Sequence, residues 1–292
     1  PGALELIART RAELPAATVA NGCGTDQLEP SDARGTDDVI RAYLEQIDAI
    51  QKLDARIILM ASRALARVAR GPADYIHVYD TVLRACERPV ILHWLGEMFD
   101  PALAGYWGGS DFDATLETVL AVIEQNLARV DGIKMSLLDK DKEIALRRRL
   151  PAGVKIYTGD DFNYPELIEG DDQGFSHALL GIFDPLAPAA AYAVNRLAEG
   201  DRAGFRAALD PTVLLARTIF RAPTQYYKTG VVFLAWLNGH QDHFTMVGGQ
   251  HSARSLPHLA ELFRLADAAG LLRDPDMACT RMRSLLATHG VH

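Results

Sequence analysis

The strongest chemical signal in this chain is a lysine set inside an apolar run. The segment Val130-Asp131-Gly132-Ile133-Lys134-Met135-Ser136 has the length of a strand, and an ammonium group held there loses much of its hydration. Burial lowers a lysine's pKa and so frees the neutral amine to attack a carbonyl. The competing account is a lysine paired with an acid inside the fold, or one snorkelling out at its rim. His93 follows the apolar Pro89-Val90-Ile91-Leu92. Imidazole titrates closest to working pH, which makes His93 a candidate acid or base, against the alternative of a core histidine hydrogen-bonded to backbone. Glu97 is a candidate second proton carrier or ligand for sugar hydroxyls, although a loop glutamate is more often solvated.

A second polar cluster follows the run Ile156-Tyr157-Thr158 as Gly159-Asp160-Asp161. Aspartates in this position cap the next helix, which Pro165 places close by; one of the pair is free to face a substrate while the other caps. Gly159 permits a tight turn or a close approach of ligand to backbone, and Gly181, in Leu180-Gly181-Ile182-Phe183, is taken as a further substrate-binding position. Lys228 is a rival nucleophile with a structural or rim role as the preferred reading. His240 and His243 have a spacing that two helical zinc ligands could use, but no H-E-x-x-H pattern accompanies them, so no metal is expected. No cofactor is expected either.

The elements that must position these residues are legible as short apolar runs: Thr18 to Cys23, Arg56 to Ala61, Pro89 to Trp94, Val130 to Met135, Val154 to Thr158 and Ala178 to Phe183. Segments of helical period lie between them, such as Asp38 to Leu53 and Asp74 to Cys86. Strands apolar throughout are buried on both faces, which means a parallel α/β sheet. Polar residues gather after the strands, where a (β/α)₈ (TIM) barrel carries its function. Six strand-helix units are visible where a closed barrel needs eight, so either one or two units precede Pro1 or the sheet is open and doubly wound. The helix-like start at Ala3 to Ala8 favours the first. The expected division is a barrel domain over residues 1–210 and a C-terminal helical extension over 211–292, with helices at Val213 to Phe220, Thr229 to Leu237, Pro257 to Ala269 and Met277 to His289.

Composition narrows the partners. The chain has 292 residues, 49% hydrophobic and 23% charged, enough apolar side chain for a large core. A net charge of −8 disfavours nucleic acid. The three cysteines, Cys23, Cys86 and Cys279, form no CxxC pair and suit a reducing compartment. No apolar run reaches the roughly 20 residues that cross a bilayer, and no signal-like start is present. The expectation is a cytoplasmic protein with a small-molecule substrate, no membrane partner, and a homodimeric or homotetrameric state.

Asp131-Gly132-Ile133-Lys134 resembles the Schiff-base strand of the dihydrodipicolinate synthase and N-acetylneuraminate lyase superfamily, class I aldolase barrels in which a Gly-Ile-Lys tripeptide carries the nucleophile. Ile156-Tyr157-Thr158-Gly159-Asp160-Asp161 resembles that superfamily's next strand, ending in Gly-Asp-Asp. Pro89-Val90-Ile91-Leu92 matches the strand before the lysine strand, Thr18 to Thr25 resembles the third strand, and Leu180 to Phe183 leads to Pro188 as the last barrel strand does. The ordered set covers roughly residues 1 to 230 and is similar to a divergent bacterial branch. It implies a lyase or aldolase in which Lys134 forms a Schiff base with a 2-keto acid, pyruvate-like or derived from a sugar acid, and a C–C bond is made or broken. Where the superfamily has a proton-relaying tyrosine, this chain has His93 followed by Trp94. The superfamily's carboxylate-binding loop would fall before Pro1. Two other readings stay open: a metal-dependent sugar enzyme with ligands among His93, Glu97 and Asp160, and a non-catalytic sugar-binding barrel.

Overall fold

A computed structural model describes residues 2–109 and 111–291. Six strands are found among them: β1 (Ala20–Cys23), β2 (Arg56–Leu59), β3 (Val90–Leu95), β4 (Val130–Ser136), β5 (Lys155–Thr158) and β6 (His177–Ala178). They lie in one sheet in chain order, β1 to β6, and every pairing from β1 to β5 is parallel. Sequential order without reversal is that of a barrel sheet rather than a doubly wound one.

The helices are α1 (Gly2–Glu13), α2 (Thr36–Gln51), α3 (Arg63–Val68), α4 (Pro72–Arg84), α5 (Phe112–Gln125), α6 (Lys140–Arg149), α7 (Tyr164–Glu169), α8 (Ala187–Ala198), α9 (Arg202–Leu209), α10 (Val213–Ile219), α11 (Tyr227–Leu237), α12 (Leu256–Ala268) and α13 (Pro275–Thr288). Short polar side chains fix several starts by accepting backbone N–H bonds: Ser62 for α3, Asp111 for α5, Asp139 for α6, Ser255 for α12 and Asp274 for α13.

Two compact units divide the chain. The first comprises residues 1–158 and 172–177, the second 159–171 and 178–292. The boundary expected at residue 210 falls inside the second unit, just after α9.

Within the first unit the two faces of the sheet differ sharply. Cys23, Leu59, Leu92, Ile133 and Ile156 alternate onto one face and join a single core with side chains of α2, α4, α5 and α6, among them Tyr43, Val82, Val119 and Leu146. The opposite face carries Ile58, Ile91, Gly132 and Lys155 at one level, and His93, Lys134 and Tyr157 at the next, as the strand registers dictate. A one-residue register shift separates the Val90↔Val130 pair from Ile91↔Gly132. The extra residue is Asp131, and the shift turns it to the same face as Gly132.

The run Ala178 to Phe183 departs from the expected strand. Only His177–Ala178 forms a strand; Leu180 is extended outside it, and Gly181–Phe183 forms a 3-10 turn. The Asp161 carboxylate accepts the Ile182 N–H at 2.7 Å, so that donor is satisfied by a side chain instead of a ladder.

Candidate active site

Lys134 stands in the middle of the polar face of the first unit, half-buried, with His93 and Tyr157 as its register neighbours on either side. Its strand is held by Ile133 and Met135, whose side chains enter the helix-packed core. Alternation then puts Ser136 on the same face as Lys134.

His93 is buried, with 4% of its surface exposed. Its Nε2 lies 3.0 Å from Ser136 Oγ and its Nδ1 lies 3.3 Å from Met60 Sδ. Burial, and after it the charge of Lys134, hold the imidazole well below its ordinary pKa of 6.5. The ring is therefore neutral at neutral pH and suited to accept a proton. Met60 also lines a cavity of about 190 Å³ with Thr25, Asp26, Arg63 and Leu95, over the carboxyl ends of β1 to β3.

Beneath this level lies a charged tier. Asp131 accepts hydrogen bonds from Lys155 Nζ at 2.8 Å and from the Tyr157 hydroxyl. Burial pushes the Asp131 carboxyl up, but the bonds from Lys155 and Tyr157 outweigh it and leave the pKa below its ordinary value. Burial, and then Asp131, push the Tyr157 phenol up, so it stays protonated. The Tyr157 ring crosses Gly132 so closely that a Cβ there would lie 2.8 Å from Tyr157 Cε2. The Lys155 carbonyl oxygen would be nearer still, so Gly132 admits both the neighbouring strand's backbone and the ring. The His177 ring lies tilted beside that of Tyr157, centroids 5.4 Å apart, and burial, followed by Lys155, lowers its pKa.

Glu97 is exposed in the turn after β3 and lines a separate cavity of about 220 Å³ with Trp94, Asp111, Phe112 and Lys142. Gly159, Asp160, Asp161 and Gly181 belong to the second unit. There Asp160 takes the N–H groups of Phe162 and Asn163 at 2.8 and 3.0 Å, which shapes the turn before α7, while the N-cap of that helix is Asn163, with no side-chain capping bond. Gly181 faces Phe220 and Tyr227, which a Cβ would approach to 3.1 and 3.3 Å. Lys228 is exposed on α11, and His240 and His243 follow the end of that helix instead of lying on it. Among the described residues no three His, Cys, Asp or Glu side chains gather as a metal donor set, and no helix is long and apolar enough to cross a membrane.

Ser136, Met60, Tyr157, Lys155 and the role of Asp131 were not singled out from the sequence. Counting two residues either side of Lys134 finds Ser136 and Gly132; the others require the strand register, which no single strand contains.

The fold is shared with solved dihydrodipicolinate synthases. That of Aquifex aeolicus superposes with a TM-score of 0.66 at 12% identity, covering 94% of this chain and 82% of its own. The enzyme of Oceanobacillus iheyensis gives 0.65 at 14% identity, covering 91% and 78%. The chloride-inhibited enzyme of Acinetobacter baumannii, complexed with pyruvate, gives 0.61 at 15% identity, covering 92% and 81%. At these identities the likeness is one of fold alone. None of the curated proteins compared with the chain matches it. Residues 1–291 match the family described as "Protein of unknown function (DUF993)", and the chain belongs to that family.

Proposed function

We propose that this protein is a lyase of the class I aldolase type, in which Lys134 attacks a 2-keto acid, the resulting iminium acts as electron sink, and a C–C bond is made or broken. The observation that carries the reading is the placement of Lys134 in register with a buried, neutral His93, on the sheet face that does not join the helix-packed core. A poorly hydrated amine beside a proton acceptor is what imine chemistry requires. The shared fold supports it, as does the pyruvate bound to the Acinetobacter baumannii enzyme. The cavity beside Met60, about 190 Å³, has room for a small keto acid and a polar wall in Thr25, Asp26 and Arg63. His93 takes the proton-relay place left by the superfamily's tyrosine. We read the enzyme as cytoplasmic and homo-oligomeric.

Borohydride reduction in the presence of pyruvate tests this directly. The protein should gain covalent mass, and Lys134→Ala should abolish the gain. Labelling that survives in Lys134→Ala, or maps to Lys228, rejects the assignment.

A further inference from the structure

We propose that Ser136 is a catalytic residue of this site, its hydroxyl carrying the proton lost from the carbon next to the substrate carbonyl to Nε2 of His93. The inference rests on the Schiff-base reading and names a group that the reading does not contain.

Both side chains are buried, Ser136 at 3% and His93 at 4% exposure, and they meet at 3.0 Å. Taking two polar groups out of water in adjacent strands is costly where apolar side chains would pack as well. The pair sits next to Lys134: Ser136 is two residues further along the same strand face, and His93 is the register partner of the lysine. Leu95, which pairs with Ser136, lines the cavity together with Met60.

The contact with Met60 favours one direction for the hydrogen bond. A thioether sulfur has no proton to give, so the nitrogen facing Met60 Sδ must be the one that carries hydrogen if a bond forms there. Nε2 is then bare and accepts the Ser136 O–H. This leaves the serine oxygen with lone pairs to take a proton from substrate. Burial and Lys134 disfavour the imidazolium, as a base at rest requires.

In the step itself the C–H bond of the iminium breaks and its electron pair becomes the C=C bond of the enamine. The C=N π pair returns to Nζ of Lys134. The proton joins Ser136 Oγ as the serine proton passes to His93 Nε2. One positive charge moves from the iminium to the imidazolium, and no outside reactant is consumed.

Pyruvate in deuterated water provides a test that needs no knowledge of the second substrate. Imine formation is read by borohydride trapping and enamine formation by loss of the methyl proton signal. Ser136→Ala should trap pyruvate as the parent does while methyl exchange falls roughly 10²- to 10⁴-fold, the usual scale of general acid–base catalysis. Ser136→Thr should retain exchange, whereas the equally bulky Ser136→Val should not, a comparison that holds even if the alanine variant folds poorly. Adding His93→Gln to Ser136→Ala should cost little beyond either single change, as for two members of one relay. Normal trapping with parental exchange in both Ser136→Ala and Ser136→Val overturns the relay alone. Absence of trapping in the parent protein overturns the Schiff-base reading and the relay with it.

Discussion

The two faces of the sheet in the first unit are made by the same strands and obey opposite rules. On one face Leu92, Ile133 and Ile156 are almost fully buried against helices, and apolar contact alone accounts for their presence. On the other, their immediate neighbours His93, Lys134 and Tyr157 carry polar groups into a partly buried surface. A strand gives each residue a face by alternation, so stability and chemistry can be written into one segment without interference. The polar face is itself tiered: Asp131, Lys155 and Tyr157 satisfy one another below, while His93 is held neutral above.

The sharpest way to break this comparison is to exchange chemistry for packing. Lys134→Met should eliminate borohydride trapping while the urea midpoint hardly falls, because the substitution puts an apolar side chain of similar length in a half-buried position. A large fall in the midpoint would make Lys134 a structural residue. Leu92→Ala, one residue from His93 but on the helix-packed face, should do the reverse. It should cost about 2–5 kcal/mol of stability, as buried leucines do, and leave trapping by the folded protein intact.

Gly132→Ala probes the border between the tiers. A methyl group there meets the Lys155 carbonyl oxygen of the neighbouring strand first and the Tyr157 ring next, and overpacking of this kind costs about 1–3 kcal/mol or more. The tyrosine should swing away from Asp131, and an unshifted Tyr157 absorbance on alkaline titration would show that the ring does not depend on the glycine.

The smallest effects are those of pH, and they separate the tiers. The folded pKa of His93 lies below its unfolded value of 6.5. The stability tied to its neutral ring is therefore complete above that pH and lost as pH falls through it toward the folded value. Asp131 is also depressed when folded, from 3.8, so its contribution is present above that value and lost only at still lower pH. Urea midpoints of His93→Gln should be flatter than the parent between pH 7 and 5, and those of Asp131→Asn flatter only below about pH 4. Identical profiles for parent and variants would remove the electrostatic distinction.

Much of this was present in the order of the residues. The apolar runs located five of the six strands within a few positions, and the periodic segments located α2, α4 and the last four helices, because hydrophobic periodicity and capping are local properties. The lysine in its strand and the ordered motifs were equally legible. The run ending at Phe183 misled because Ile182 gives its N–H to Asp161, a partner 21 residues away. Tyr157 and Met60 carry no local mark of function. Their assignment came from the register of β2 to β5 and from the shift at Asp131, which depend on how separate strands align. What the sequence by itself determined is which segments are strands and helices and that one otherwise apolar strand holds a lysine. Only the tertiary structure decided which side chains share that lysine's face, since a register shift of one residue turns every side chain to the opposite side.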